Sequence, residues 1–163
     1  MVIAMEKEKK QPRKSAAKQA AEVIKKFEGF ESAPYLCPAN VATIGYGTTI
    51  YSDGTKVTLD DEPITKEKAT EELLHHIKAV EKQVNAVVVV KLKAHQKAAL
   101  ISFVYNIGIG NFSRSTLLRK LNHCADDQNI PKEFRRWTKG GGRVLRGLIA
   151  RRESEVELWT GTC

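Results

Sequence analysis

Apolar residues recur at steps of three and four along much of the chain, a spacing that is typical of amphipathic helices. The first helix is predicted to run from the N-cap residue Ser15 to Glu28, where Gly29 provides a stop signal. A longer helix is predicted after Thr65, with an apolar stripe of Ala69, Leu73, Ile77, Val80 and Val84. Further helices are predicted over residues 94–107 and 113–122, from Pro131 to about Trp137, and over residues 144–159.

Residues 41–50 follow a different pattern, because they alternate and are rich in Val, Ile, Thr and Tyr. They predict a strand in which Thr43, Gly45 and Gly47 share one face. A turn signal at residues 52–54 predicts a hairpin with a return strand over residues 55–59. The whole pattern predicts an α+β fold, with a small sheet and many helices.

The composition is that of a folded protein of one domain. The chain has 163 residues, of which 42% are hydrophobic, and a formal net charge of +8 that favours polyanionic partners. Residues 1–14 are predicted to form a basic, flexible tail, and residues 15–163 a single domain divided into parts 15–64 and 65–163. The apolar residues 1–5 are too few for a signal peptide or a membrane span. Three cysteines without paired spacing predict neither a disulfide framework nor a metal site.

Glu28 is the first candidate for chemistry. It continues a core-facing row with Ala20 and Ile24, and it lies at the negative end of its helix dipole. Both features disfavour the charged carboxylate, which suits a general acid. The alternative is a structural ion pair with an arginine, for example from the last predicted helix. In that helix an apolar stripe is predicted to face the core, with Arg151, Arg152 and Glu155 as surface pairs; the stripe contains Leu145, Leu148, Ile149, Val156 and Trp159.

The spacing of Glu28, Cys37 and Thr43, followed by Ile-Gly-Tyr-Gly at residues 44–47, resembles the signature of the phage-type lysozymes, or endolysins, of glycoside hydrolase family 24. Four later segments resemble that family in the same order, at residues 99–112, 115–121, 134–137 and 147–153. The resemblance covers roughly residues 20–160. It implies a lysozyme-like fold in which a long helix joins a small sheet lobe to a helical lobe, with the active-site cleft between them.

The resemblance also implies roles for individual residues. Glu28 would be the proton donor, Thr43 would orient water, and Cys37 would act as base, nucleophile or electrostatic stabiliser. Many relatives have Asp where this chain has Cys37, and a small buried thiol is the alternative interpretation. Tyr46, Tyr105 and Asn106 are candidates for binding the sugar, although core packing is an equal alternative for Tyr105. The resemblance implies no metal and no cofactor.

The implied activity is hydrolysis of the β-1,4 bond between N-acetylmuramic acid and N-acetylglucosamine in bacterial peptidoglycan. The resemblance implies a monomer that is made in the host cytoplasm, released by a separate holin and active on the periplasmic wall. Two alternatives stay open. One is a lytic transglycosylase that uses Glu28 alone, and the other is a non-catalytic basic module that binds the wall or an anionic surface. Nucleic acid is not expected as a partner, because no helix is dense in Arg, Asn and Gln.

Overall fold

The computed structural model describes residues 13–161, which form seven helices and two sheets of two strands each. The helices are α1 (Ala16–Glu28), α2 (Lys66–Val87), α3 (Ala94–Ile107), α4 (Ile109–Ser113), α5 (Thr116–His123), α6 (Ile130–Arg135) and α7 (Arg146–Thr160). The strands are β1 (Glu31–Leu36), β2 (Ala42–Gly45), β3 (Lys139–Gly140) and β4 (Arg143–Val144). Most of the predicted tail, residues 1–12, lies outside the described residues. None of the described helices combines the length and the hydrophobicity that crossing a membrane requires.

Helix α1 has the predicted boundaries. The Ser15 hydroxyl accepts a hydrogen bond from the Lys18 amide at 3.3 Å, and the Gly29 amide donates to the Lys25 carbonyl at 3.2 Å. Its buried face consists of Ala16, Ala17, Ala20, Ala21 and Ile24. Small side chains on this face let α1 approach α3 closely, and the predicted amphipathic helix is confirmed.

The predicted long helix is also confirmed, and it connects distant parts of the fold. At its start, the Thr65 hydroxyl accepts from the Lys68 amide at 3.1 Å. The first turn packs on the sheet, since a Cβ on Gly45 would lie 3.0 Å from the Ala69 Cβ. At its end, the Asn122 side chain accepts from the Val89 amide and donates to the Val87 carbonyl, each at 2.9 Å. Helix α2 therefore reaches from the β1–β2 sheet to α5.

The core of the helical part surrounds α3. The Phe103 ring is fully buried and packs edge-on against Phe112, Phe134 and Trp137, with ring centroids 6.2, 5.0 and 6.0 Å away. Such edge-to-face pairs are favourable beyond the area that they bury. Residues 94–107 are helical as predicted. Because α1, α2 and α7 all pack on α3, this helix fixes their relative positions.

The predicted pairing of the sheet is wrong. Strand β2 pairs with the preceding β1, with Tyr35 opposite Thr43, and not with a strand at residues 55–59. The turn at residues 52–54 does form, but it supports only a single bridge between Ile50 and Lys56. Gly45 and Gly47 have φ angles of +64° and +83°, which end the extended conformation soon after β2 begins. The predicted strand of ten residues is therefore shortened to four.

The second sheet lies where a flexible loop was predicted. Strands β3 and β4 pair across Gly141 and Gly142, whose φ angles of +58° and +80° suit a two-residue hairpin turn. The glycines at residues 140–142 therefore build a tight turn rather than a flexible segment.

The predicted apolar face of α7 is wrong at its N-terminal end. Leu145 and Ile149 are each 42% exposed, whereas Arg151, Arg152 and Glu155 are buried. Val156 and Trp159 are buried as predicted. The reason is that the buried charged residues have partners on α1 and α3, which are described next.

Candidate active site

The carboxylate of Glu28 lies at the C-terminal end of α1, where Gly29 turns the chain towards β1. Its Oε1 accepts a hydrogen bond from Arg151 Nη1 at 3.1 Å. The side chain of Glu28 is 31% exposed, whereas that of Arg151 is 4% exposed. The predicted alternative of an ion pair with an arginine of the last helix is therefore present. A buried cation holds a carboxylate that solvent can still reach.

Gly47 makes room for the other oxygen of this carboxylate. A Cβ at residue 47 would lie 3.2 Å from Glu28 Oε2, and the φ angle of +83° is one that residues with a Cβ rarely adopt. The glycine thus leaves open space beside the oxygen that Arg151 does not hold. Arg151 thus contacts one oxygen of the carboxylate, and Gly47 lies beside the other.

Cys37 begins the tight connection between β1 and β2. Its amide donates to the Val41 carbonyl at 3.0 Å, and its carbonyl accepts from the Asn40 amide at 2.8 Å. Asn40 has a φ of +61°, which Asn tolerates better than most residues. The thiol is half-buried and free, so it is not a fully buried core residue. The turn places it next to Thr43, whose hydroxyl donates to the Val41 carbonyl at 2.9 Å.

The surroundings of Cys37 favour its thiolate. A hydrogen bond from the Val41 backbone and a weaker one from the Thr43 side chain lower the pKa of Cys37 below its usual value, although desolvation opposes them. Thr43 is buried, and its hydroxyl has one proton, which is donated either to the Val41 carbonyl, as in this structure, or to a Cys37 thiolate. The structure therefore brings Cys37 and Thr43 together, as the sequence spacing predicted.

Two tyrosines face the same carboxylate. Burial raises the pKa of Tyr105 to about 12, and the negative charge of Glu28 adds to this while Arg151 opposes it. Burial also raises the pKa of Tyr35, followed by the charges of Glu31, Cys37 and Glu28. Both phenols are therefore neutral near pH 7. Sequence reasoning missed Tyr35, because Pro34 within ESAPYL concealed strand β1.

Tyr46 and Asn106 are in different surroundings. Tyr46 is buried, with its ring centroid 5.4 Å from that of Phe30 and 5.3 Å from Lys25 Nζ. Packing and a cation–π contact thus account for much of its surface. Asn106 is exposed near the end of α3, and its Oδ1 accepts a hydrogen bond from Arg152 Nη2. Substrate binding by either residue stays a prediction.

The sequence of this chain matches the profile of the phage lysozyme family over residues 25–155. The chain belongs to the phage lysozyme family. An SAR-endolysin of Bacteriophage PS119 is 37% identical over 135 residues, which are 82% of this chain and 77% of that protein. Glu28, Cys37, Thr43 and Arg151 lie within the matched range.

Solved structures of a phage endolysin and of a muramidase domain share the fold. The endolysin from Escherichia coli O157:H7 phage FAHEc1 superposes with a TM-score of 0.82 at 29% identity, covering 94% of this chain and 98% of that one. The muramidase domain of SpmX from Asticaccaulis excentricus gives a TM-score of 0.75 at 32% identity, covering 90% of this chain and 98% of that one. The predicted lysozyme-like α+β fold is confirmed.

In this phage lysozyme family member, a buried network of charges lies behind Glu28. Glu155 Oε2 accepts from the Ser102 hydroxyl at 2.7 Å, and Glu155 Oε1 lies 3.2 Å from Arg152 Nη1. Arg151 Nε lies 3.7 Å from Glu155 Oε2, and Arg151 Nη2 donates to the Ser102 carbonyl at 3.2 Å. The interpretation of these residues as surface pairs is wrong. The i, i+3 and i, i+4 spacing was the available signal, but spacing does not reveal burial.

Within residues 13–161, the His, Cys, Asp and Glu side chains form no group of three that could hold a metal ion.

Proposed function

We propose that this protein is an endolysin that hydrolyses the β-1,4 bond between N-acetylmuramic acid and N-acetylglucosamine in bacterial peptidoglycan. Membership of the phage lysozyme family supports this proposal. The observation that carries it is the state of Glu28, whose carboxylate is held by the buried Arg151 and yet remains about one third exposed. A proton donor for glycoside hydrolysis needs this combination of fixed position and access.

The two oxygens of Glu28 have different roles in this proposal. Arg151 fixes Oε1, and Gly47 leaves space beside Oε2. The proton is therefore delivered from Oε2 to the oxygen of the leaving sugar, which approaches through the space that a Cβ on Gly47 would fill. Cleavage requires this carboxyl to be protonated when substrate binds.

Cys37 takes the place of the second acidic group. Glycosidases generally use a second carboxylate as base or nucleophile. The pKa of Cys37 is lowered by its hydrogen bonds, so its thiolate is favoured over that of an ordinary cysteine, and we assign this position to it. Thr43 supports it through the shared turn at Val41, and its hydroxyl is the group assigned to orient the attacking water.

Sugar binding is assigned to the residues around this pair. Tyr105 keeps a neutral phenol beside Glu28, and Asn106 is exposed at the end of the same helix. Tyr46 contributes through the ring packing that shapes the neighbouring loop. Planar rings and amide groups are the usual means of orienting a sugar and its N-acetyl group.

The cellular setting follows from the proposed activity. The protein acts on peptidoglycan strands in the periplasm, after synthesis in the cytoplasm of the host bacterium and release by a separate holin. The net charge of +8 favours attraction to the acidic polymers of the wall. We propose that it acts as a monomer.

Glu28→Gln tests the proposed donor. The amide keeps the shape but cannot supply the proton, so we expect lysis of permeabilised Gram-negative cells to fall at least about 100-fold. Glu31→Gln is the matched control, because Glu31 is exposed on the nearby strand β1. Reducing muramic acid ends in the products establish hydrolysis, whereas anhydro ends indicate a transglycosylase. Wild-type rates in Glu28→Gln would exclude this residue as the donor.

Cys37 is tested through the pH dependence of its alkylation, in a background that carries Cys124→Ser and Cys163→Ser. A lowered pKa means that the thiolate persists at lower pH, so the alkylation rate should reach half its maximum below pH 9.0. Thr43→Val removes one of the stabilising hydrogen bonds and should move this midpoint upwards. A midpoint at or above 9.0 in the parent protein contradicts the thiolate role.

A further inference from the structure

A buried carboxylate without a role in the proposed reaction lies behind the site. Glu155 on α7 has a side-chain exposure of 0%, and it lies between two arginines. Arg152 Nη1 is 3.2 Å from its Oε1, and Arg151 Nε is 3.7 Å from its Oε2. Burial raises the pKa of Glu155, but contact with two guanidinium groups, which stay protonated in proteins, keeps it charged near pH 7. It therefore balances one of two buried positive charges.

The two arginines connect Glu155 to two residues of the proposed site. Arg151 Nη1 donates to Glu28 Oε1 at 3.1 Å. Arg152 Nη2 donates to Asn106 Oδ1, and its guanidinium centre lies 4.9 Å from the centroid of the Phe103 ring. Arg151 thus links Glu155 to Glu28, and Arg152 links it to Asn106.

We propose that Glu155 is a positioning residue for the hydrolysis, which holds Arg151 and Arg152 in place and limits the positive charge that Glu28 experiences. This inference rests on the proposed role of Glu28 as proton donor. Without Glu155, two unbalanced guanidinium groups would favour the charged form of Glu28. The proton needed for cleavage would then be lost at a lower pH.

Apart from the proposed thiolate of Cys37 on the β1–β2 connection, which the variants below leave unchanged, the other elements packed around Glu28 do not provide this balance. Arg151 faces it from α7, Tyr105 from α3 and Tyr35 from β1. The pKa values of both tyrosines are raised, so they are neutral near pH 7. Among these three groups, Arg151 carries the charge, and Glu155 is the anion that opposes it from behind.

The test is the pH dependence of kcat on soluble peptidoglycan fragments at fixed ionic strength. Glu155→Gln keeps the shape of the side chain and removes its charge. Activity falls on the alkaline side as the donor loses its proton, and we expect this limb to move to lower pH by about one unit. A purely structural role would reduce the amount of active protein without moving the limb.

Glu133→Gln is the matched control. Glu133 lies on α6 with a side-chain exposure of 2%, and it also contacts two cations, Lys120 Nζ at 2.9 Å and Arg136 Nε at 3.3 Å. It has no contact with Arg151 or Glu28 among the ion pairs of the described residues. This variant should lose comparable stability and keep the alkaline limb of the wild type.

Asn106→Asp adds a negative charge next to the arginines, whereas Glu155→Gln removes one. Asn106 is exposed, so an isosteric aspartate should not prevent folding. It adds a negative charge next to Arg152, and the alkaline limb should then move to higher pH. This variant carries the test if Glu155→Gln does not fold.

An unmoved limb in folded Glu155→Gln, or in Asn106→Asp when Glu155→Gln does not fold, overturns the inference. Glu28→Gln separates this failure from that of the proposed function. Full activity of Glu28→Gln overturns the donor role itself. An inactive Glu28→Gln together with an unmoved limb overturns only the positioning role of Glu155.

Discussion

Helices α1 and α7 both pack on α3, and each contributes one partner of the ion pair between Glu28 and Arg151, yet their buried faces differ in character. The buried face of α1 is made of alanines and Ile24, whereas α7 buries two arginines and a glutamate together with Val156, Leu158 and Trp159. The accessible member of the pair comes from the apolar helix, and the buried member comes from the charged one. A buried cation can thus hold a carboxylate that must stay in contact with solvent.

The charged face of α7 has an energetic consequence. Burial lowers the pKa of Arg152 and raises that of Glu155, because desolvation disfavours both charged forms. Mutual contact offsets this penalty only while every member is present. The stability of α7 therefore depends on complete pairing, whereas that of α1 depends on close packing.

The largest expected effect comes from breaking the network on α7. Arg152→Met leaves Glu155 with a single guanidinium partner and should lower the free energy of unfolding by about 4 kcal/mol, as measured by urea denaturation. Arg135→Met is the control, since Arg135 forms an exposed pair with Glu153 at 2.7 Å and should cost less than about 1 kcal/mol. Equal effects of the two variants would remove the distinction between buried and exposed pairs.

A cavity on α1 should have the next largest effect. Ile24 is fully buried, so Ile24→Ala should lower the free energy of unfolding by about 3 kcal/mol while folded molecules keep their activity. Ile149→Ala on α7 is the matched control, because Ile149 is 42% exposed. A loss for Ile149→Ala as large as that for Ile24→Ala would show that the predicted apolar face of α7 is buried after all.

Gly47→Ala examines the open side of Glu28. The left-handed backbone should cost roughly 1–2 kcal/mol of stability, and the added methyl group crowds Glu28 Oε2. We therefore expect kcat to fall together with stability. Gly54→Ala has a similar φ of +89° with nothing within 4 Å of the new Cβ, so it should lose stability alone. Equal kcat values for the two variants would contradict the assignment of Oε2 as the donor oxygen.

The smallest effect is expected at the start of α1. Ser15→Ala removes the hydroxyl that accepts from the Lys18 amide and should lower the free energy of unfolding by about 1 kcal/mol. Ser15→Thr keeps an oxygen at this position and should retain most of the stability. Helix α7 has no side-chain cap at Leu145, so we expect stabilisation by a side-chain cap at α1 and not at α7. Identical stability of Ser15→Ala and wild type would contradict it.

Those parts of the fold that local signals determine were predictable from the sequence. Ser15, Thr65 and Gly29 mark helix ends through bonds to neighbouring residues, and the structure confirms them. Strand β1 was not predictable, because its residues are largely exposed and Pro34 interrupts the pattern. The pairing of β2 with β1 runs through the turn at residues 37–41, where Asn40 has a φ of +61°, and the left-handed Gly45 and Gly47 then end the strand; periodicity encodes neither feature.

The candidate site was predictable only where the family motif runs. The motif spacing located Glu28, Cys37 and Thr43, because the family resemblance preserves their order. The support behind Glu28 was hidden, since a sequence pattern treats Arg152 and Glu155 as polar and therefore exposed. Their burial arises from contacts with Ser102 and Phe103 on α3, about fifty residues away along the chain.

The close contact between Gly45 and Ala69 has a consequence for motion. A Cβ at residue 45 would come within 3.0 Å of the Ala69 Cβ, so a larger side chain there would push β2 and the first turn of α2 apart. Helix α2 also packs on α1 and α3. A displacement of the β1–β2 sheet relative to α1 would therefore have to break the Gly45–Ala69 contact or bend α2.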